Sequence, residues 1–339
     1  MLKIAFIGYG NSVRNYHLPY LVNVNEISVK KIYRREEDRV NDREAETWYP
    51  DIEFTSRLDD IYRDDDIELV VVNTHVDTHA EYAFGALHHG KNVLVEKPFA
   101  QNAIEARMIF ELAQEKGLIV MANQNRRYDG DFLTLKKVIE SGKLGKIVEL
   151  QSHYDYFNPT GVKPDFGLLY GLAVHTLDQM WSIFGRPDRV AYDVRSIYYP
   201  GKGDDFVDID LFYGETKVTV KCSQYVKKAF PKFVVHGDKG SFIKYSSGHQ
   251  LKNPNGPTVV DFQPEQEERW GEIFYRDEAG QDRQEKVPSE ITDYGLLYKA
   301  LYHTLRYGAA KPVQDDQVIG VMELLEQGVA AAKMQKAEA

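Results

Sequence analysis

Cysteine is nearly absent from this chain: one residue, Cys222, in 339. A single thiol excludes an internal disulfide framework. Cys222 ends the strand-like run from Lys217, where a thiol is packed rather than reactive. Long apolar runs are missing too, and none approaches the roughly 18–20 residues a membrane-spanning helix needs. The chain opens directly on a strand, with no charged segment and cleavage site ahead of it, so no leader peptide is expected. Nor is there an excess of positive charge. The 42 Lys and Arg stand against 52 Asp and Glu, a formal net charge of -10, which disfavours nucleic acid and anionic membranes as partners. No internal repeat or low-complexity tract is visible. The expectation is a soluble protein of a reducing cytoplasm.

What is present organises itself around Ala5-Phe6-Ile7-Gly8-Tyr9-Gly10. Ile4 to Ile7 are all apolar and read as a short buried strand. Gly8 and Gly10 let the backbone turn tightly and approach a phosphate, and Asn11 and Ser12 open a helix whose free N–H groups face a negative charge. The third position of a dinucleotide fingerprint is Val13 rather than Gly or Ala.

With 43% apolar residues and this length, two domains are expected. Over the first 120 or so residues strands and helices alternate, the sign of a parallel sheet. Strands are predicted at 29–33, 52–55, 69–74, 92–95 and 118–121. Pro19 either kinks the first helix or marks where its regular part begins. Asp77 or Thr78 can cap the following helix, and Asn102 with Glu105 resembles a capping box. Beyond Asn123 the rhythm changes to a helix over 131–140 and then strands at 146–156, 189–198, 206–212, 216–220 and 233–236, a mostly antiparallel sheet. Residues 250–290 are polar and broken by Pro and Gly, so loops or an irregular edge are expected there. Two helical stretches, 295–306 and 316–334, close the chain. The fold class is α/β: an N-terminal Rossmann doubly wound parallel sheet over 1–121, then an α+β domain over 122–339 with a large open, mostly antiparallel sheet.

Several polar motifs end strands on the rim where such sheets bind ligands. Tyr33-Arg34-Arg35 stands where an acidic residue commonly meets the adenosine ribose; an arginine pair suits a 2′-phosphate and so NADP over NAD. Asn73-Thr74-His75 ends another strand. His75 and His79 are four residues apart, but no acidic third ligand accompanies them and no metal is expected. Glu96-Lys97-Pro98 places a lysine beside the nicotinamide position, where it can hydrogen-bond or pass a proton to a carbinol or carbonyl oxygen; Pro98 is a candidate cis residue. Asn123 to Tyr128 forms a polar cluster suited to binding or to a hinge. His175 lies among apolar residues on a helix, either buried and satisfied or catalytic, with Asp178 placed to orient it.

Together these motifs resemble the glucose–fructose oxidoreductase / inositol dehydrogenase / rhizopine-catabolism (Gfo/Idh/MocA) family. The matching stretches are Ala5 to Gly10, His17-Leu18-Pro19, Gly90 to Pro98, Asn125-Arg126-Arg127-Tyr128 and Val174-His175-Thr176-Leu177-Asp178, with Gly237 to Ser241 extending the match into the sheet domain. Within the family the chain is most similar to uncharacterised bacterial oxidoreductases. The resemblance implies NAD(P)-dependent oxidation or reduction of a sugar, cyclitol or related polyol. It implies that Lys97 and His175 are catalytic. Gly8, Gly10, Asn11, Ser12, Arg34, Arg35, Thr74, His75, His79, Glu96, Lys97, Asn125 and Arg126 are expected at the cofactor, NADP or NAD. Lys97, Tyr154, Tyr156, Lys163 and His175 are expected at the substrate. The open sheet implies a homodimer or homotetramer. One departure stands out. The family commonly has Asp four residues before the histidine and Gly two before it; here these are Gly171 and Ala173. Tyr170 or Tyr154 could replace the missing group. Two alternatives therefore accompany the dehydrogenase reading: a nucleotide-binding sensor of reduced catalysis, and an enzyme that uses the nicotinamide transiently for net hydrolysis or elimination.

Overall fold

The computed structural model describes residues 1–40, 42–161, 166–247, 250–251, 253 and 256–338. Lys163 lies outside the described residues. The chain divides into two compact units. The first comprises Met1–Asn125, His249–Phe262 and Asp293–Met322, and the second Arg126–Gly248, Gln263–Thr292 and Glu323–Ala339.

The first unit is built on a parallel sheet. Its strands are β1 (Leu2–Ile7), β2 (Ile27–Tyr33), β3 (Glu53–Thr55), β4 (Leu69–Val72), β5 (Asn92–Val95) and β6 (Val120–Ala122). Their order is β3-β2-β1-β4-β5-β6, so the direction of winding reverses between β1 and β4. Both central strands are buried on both faces: Ile4, Phe6 and Ile7 on β1, and Leu69 to Val72 on β4, have no exposed surface. The helices of its first segment are α1 (Leu18–Leu21), α2 (Glu36–Val40), α3 (Asp59–Tyr62), α4 (His79–His88) and α5 (Ala103–Glu115).

Two local choices follow the sequence closely and a third departs from it. Pro19 sits in the first turn of α1, where its missing N–H costs no bond, so it starts the regular helix; the preceding Val13–His17 is a π-helical turn. The Asn102 side chain accepts from Glu105 N–H at 2.8 Å and Glu105 reaches back to Gln101 N–H at 2.8 Å, fixing the start of α5. Thr78 stands at the N-cap of α4, yet its hydroxyl donates to Thr74 Oγ1 and to the His75 carbonyl instead of capping.

The second unit begins with α6 (Gly130–Glu140), β7 (Ile147–Asp155), α7 (Val174–Phe184), β8 (Arg189–Arg195), β9 (Phe206–Tyr213), β10 (Thr216–Ser223), β11 (Phe233–Gly237) and β12 (Gly240–Lys244). A short ribbon of β13 (Gln250–Leu251) and β14 (Val259–Val260) belongs to the first unit. The hairpin of β15 (Gly271–Arg276) and β16 (Asp282–Val287) completes an eight-stranded sheet, ordered β16-β15-β12-β11-β7-β10-β9-β8. All its pairings are antiparallel except β7 with β10. Val207, Ile209 and Leu211 on β9 and Val218, Val220 and Cys222 on β10 are buried, and the residues between them are part-exposed. The expectation over 250–290 is loops or an irregular edge; the hairpin is indeed the sheet's edge, but a regular one. Five of the six residues of β16 are exposed, so this edge strand carries no apolar alternation to read. The chain ends with α8 (Gly295–Tyr307) and α9 (Asp315–Glu338). No helix among the described residues is long and apolar enough to cross a membrane.

Candidate active site

The first unit holds a cavity of about 800 Å³ beyond the carboxyl ends of β1, β2 and β4, at the point where the winding reverses. Gly8 makes its floor. Its φ is +105°, and a Cβ there would lie 2.1 Å from the Asn73 carbonyl oxygen, so no side chain is tolerated. At Gly10 the space a Cβ would fill is empty to 4 Å. Asn11 and Ser12 line the cavity beside it, and Thr74 and His75 line it from the end of β4. Narrow backbone, free volume and polar lining fit the diphosphate of a dinucleotide, and the volume suits a ligand of that size.

The two arginines after β2 also line the cavity, but in different states. Arg34 is 5% exposed. Its guanidinium donates to Glu46 Oε1 at 2.8 Å, to Asp42 Oδ2 at 3.2 Å, and to the carbonyls of Asp38 and Asp42 at 2.7 and 3.2 Å. It also faces the Tyr9 ring, 5.1 Å from its centre. Arg35 is exposed and is held by the Asp38 carboxylate at 2.7 and 3.0 Å. Arg34 therefore frames the cavity wall, whereas Arg35 stands at its lip. Sequence reading missed Tyr9, Arg14 and Asp42. Arg14 lies 4.4 Å from the Tyr9 ring centre and pairs with Asp42. Its place four residues after Gly10 was the available signal.

Glu96 and His79 are absent from the cavity lining and are buried. His79 places its two ring nitrogens 2.9 Å from the Pro98 carbonyl and 3.2 Å from the Thr74 carbonyl, tying together the turns after β5 and β4. Its burial holds it below the usual imidazole range. Glu96 is the centre of a larger network. Oε1 accepts from Ser12 Oγ at 3.1 Å, His17 Nε2 at 2.7 Å and Asn123 Nδ2 at 2.6 Å; Oε2 accepts from the Lys97 N–H at 3.0 Å. His17 Nδ1 lies 2.6 Å from the Tyr298 hydroxyl on α8. Burial alone would raise the Glu96 carboxyl, but His17, the charge of Lys97 and the Asn123 bond outweigh it and bring it down to about 2. Lys97 is the second residue after β5, is partly exposed, and precedes a cis peptide bond to Pro98. Asn125 ends the first segment of this unit and is buried.

In the second unit His175 is the second residue of α7 and is 5% exposed. A π-helical turn, Leu169–Ala173, runs into α7 and contains Gly171. Asp204 caps this stretch, taking Leu169 N–H on Oδ2 at 2.7 Å and Leu168 N–H on its carbonyl at 2.9 Å. Both oxygens of Asp178 accept from Arg127, each at 2.7 Å. Burial opposes the Arg127 charge, but this carboxylate raises its pKa above the usual range.

Arg126 stacks 5.2 Å from the Tyr154 ring centre, and Gln179 donates to the Arg126 carbonyl at 2.6 Å. Lys232, not anticipated, lies 5.7 Å from the same ring and bonds Asp129 at 3.1 Å and Asp131 at 2.8 Å. Burial would discharge this lysine, and the two carboxylates raise its pKa instead. Tyr156 is 37% exposed. Tyr170 has the charge of Glu326 for a neighbour. Cys222 is buried, and burial pushes its thiol far above the usual range, as an inert cysteine requires. Among the described residues no cluster of His, Cys, Asp and Glu could hold a metal.

Comparison with known proteins now adds to this geometry. Residues 2–124 match the model of the oxidoreductase family's NAD-binding Rossmann fold, and residues 136–337 match that of its C-terminal alpha/beta domain. The chain is 46% identical over 336 residues to the uncharacterized oxidoreductase YhhX of Escherichia coli K12, covering 97% of this chain and 96% of that one. A crystal structure of oxidoreductase yhhX superposes with a TM-score of 0.87 at 44% identity, over 97% of both chains. Over 98% of this chain and 94% of the relative, identity is 30% to the scyllo-inositol 2-dehydrogenase (NADP(+)) IolW of Bacillus subtilis 168.

Proposed function

The chain belongs to the Gfo/Idh/MocA oxidoreductase family, and from that membership we propose that it moves a hydride between a nicotinamide cofactor, NADP in preference to NAD, and a carbinol or carbonyl carbon of a sugar, cyclitol or related polyol. The observation that carries this reading is the cavity at the reversal of the parallel sheet, floored by Gly8 and Gly10 and lipped by Arg35. Gly8, Gly10, Asn11 and Ser12 hold the diphosphate. Arg35 reaches the 2′-phosphate by exchanging Asp38 for it, a charge-assisted bond to a dianion in place of one to a monoanion. When bound, the nicotinamide supplies or accepts the hydride. Lys97 and His175 carry the proton of the reacting oxygen: one moves it and the other polarises the oxygen. Tyr154, with Arg126 against its ring, forms the substrate wall of the second unit. The NADP-dependent inositol dehydrogenase among the relatives supports both the cofactor and the polyol class. The part-exposed sheet face, with Phe206 and Phe212 among the pairs Lys217–Asp210 and Lys221–Asp208, suits self-association into a dimer or tetramer. A reducing cytoplasm suits the lone buried Cys222.

Gly171, where the family commonly carries Asp, favours a second reading: a cofactor-binding sensor that turns nothing over. One set of measurements separates them. Tryptophan-fluorescence titration is expected to give tighter binding of NADPH than NADH, and Arg35→Ala to erase most of that preference, about tenfold. Lys97→Ala is expected to keep cofactor affinity and lose turnover of a polyol by about 100-fold or more. Binding of neither cofactor overturns the dehydrogenase reading, and binding with no turnover across a broad sugar and polyol panel leaves the sensor.

A further inference from the structure

Ser12 belongs to two structures at once. Its residue lines the cavity, and its hydroxyl donates to Glu96 Oε1 at 3.1 Å. The other oxygen of the same carboxylate takes the N–H of Lys97 at 3.0 Å. One buried group therefore touches the loop that would hold the diphosphate and the residue that would meet the substrate oxygen. We propose that Glu96 is a positioning residue that couples the glycine loop to Lys97, with His17 and Tyr298 as its fixed backing. The inference rests on the dinucleotide reading of the cavity.

An ionised carboxylate away from water needs donors, and Glu96 has four, three of them on one oxygen. That carboxylate only accepts, so the His17 Nε2–H donates to it, while Nδ1 lies 2.6 Å from the Tyr298 hydroxyl and Asn73 Nδ2 stands 2.8 Å from Nε2. The titratable groups facing Glu96 are His17 from the π-helical turn before α1, Lys97 from its own turn, His79 from α4 and Tyr298 from α8. Lys97 is the one among them that is partly exposed, so the field of the carboxylate falls on the group that would act on substrate. Ser12 is the only donor to this carboxylate, among the described hydrogen bonds, whose residue also lines the cavity. The Glu96 bond fixes Ser12 at the cavity wall, so the loop that would hold the diphosphate and the turn of Lys97 share one anchor.

The test uses the full-length chain and two readouts besides turnover. Competitive chemical labelling of Lys97, followed by mass spectrometry across pH, gives its titration midpoint; tryptophan quenching gives the NADPH dissociation constant. Glu96→Gln is expected to lower the Lys97 midpoint by about one pH unit or more, since it removes the adjacent charge. Ser12→Ala and Glu96→Gln are each expected to weaken NADPH several-fold, and the double variant to be no weaker than the worse single one. A folded Glu96→Gln protein with an unchanged Lys97 midpoint, or strictly additive effects on NADPH, overturns the coupling. If Glu96→Gln does not fold, Tyr298→Phe keeps the carboxylate and removes its backing. It is then expected to move both readouts in the same direction by less, and no movement in either overturns the proposal. Failure of the unaltered chain to bind NADPH defeats the dinucleotide reading instead, while the Lys97 titration still decides whether Glu96 governs that lysine.

Discussion

Glu96 in the first unit and Asp204 in the second are both carboxylates drawn away from water beside a segment that carries a proposed catalytic residue, and their surroundings push them in opposite directions. Glu96 precedes Lys97 and is brought down to about 2; Asp204 caps the stretch leading to His175 and is pushed up to about 6. Burial raises both. The difference lies in the donors. Glu96 has hydrogen bonds from three side chains and one backbone N–H and the charge of Lys97 nearby, while Asp204 has backbone N–H bonds and the like charge of Asp205. Lys232, flanked by Asp129 and Asp131, shows the same rule with the sign reversed: partners decide whether a buried group keeps its charge.

The largest effect expected from this comparison is on Glu96. Its carboxyl is depressed from 4.5, so its contribution is present above that pH and is lost as pH falls toward 2. Glu96→Gln should therefore destabilise the chain at pH 7 by roughly 2–3 kcal/mol in urea unfolding, with the two proteins converging toward pH 2. Equal stability at pH 7 would break the comparison at its first term.

Asp204 should respond with the opposite sign and by less. Its carboxyl is raised from 3.8, so the stability tied to its protonated form is present below that pH and is lost as pH rises through about 6. Asp204 keeps some solvent contact, which trims the effect. Asp204→Asn should gain about 1 kcal/mol at pH 8, read as a rise of a few degrees in Tm, and gain nothing at pH 4. An Asn that destabilises at pH 8 would show that the cap needs the charge.

Much of the first unit was legible because its cues are local. The apolar runs of β1, β4 and β5 are short and bounded, Gly8 and Gly10 follow β1 directly, and Asn102 sits three residues before Glu105. Lys97 and His175 stood out as candidates partly by position, one on the rim after β5 and one on a helix, and partly through the family motifs. Long-range pairings were not legible at all: Lys232 meets Asp129 and Asp131 from 103 and 101 residues away, and nothing in either stretch names the other. The duties of Arg34 and Arg35 look alike in sequence and diverge because Asp42 and Glu46 fold back onto the first alone. The π-helical turn before His175 was hidden for another reason. Its residues, Leu169-Tyr170-Gly171-Leu172-Ala173, carry ordinary helical patterning, and nothing in that pattern marks a wider turn.

Gly171 sits inside that turn and gives the smallest stability effect and the sharpest functional one. A Cβ there would meet the Phe166 ring at 3.4 and 3.8 Å, which is ordinary contact, so the backbone leaves room for a side chain to begin. Replacing a helical Gly by Asp recovers a few tenths of a kcal/mol of backbone entropy. Burying part of a charge offsets it, and the Tm of Gly171→Asp should stay within about 2 °C of the parent. Its kcat/KM on a neutral cyclitol, measured with NADPH regeneration or NADP reduction, tells what the departure is for. A rise of tenfold or more means the second unit lacks only the group that holds a hydroxyl, and the parent substrate supplies a different group at that position. No change, in a protein that still binds cofactor, means that the donors and acceptors around His175 already complete the site. The contrast with Glu96 then deepens: one unit would depend on a single buried charge, and the other would manage without the charge its family commonly provides.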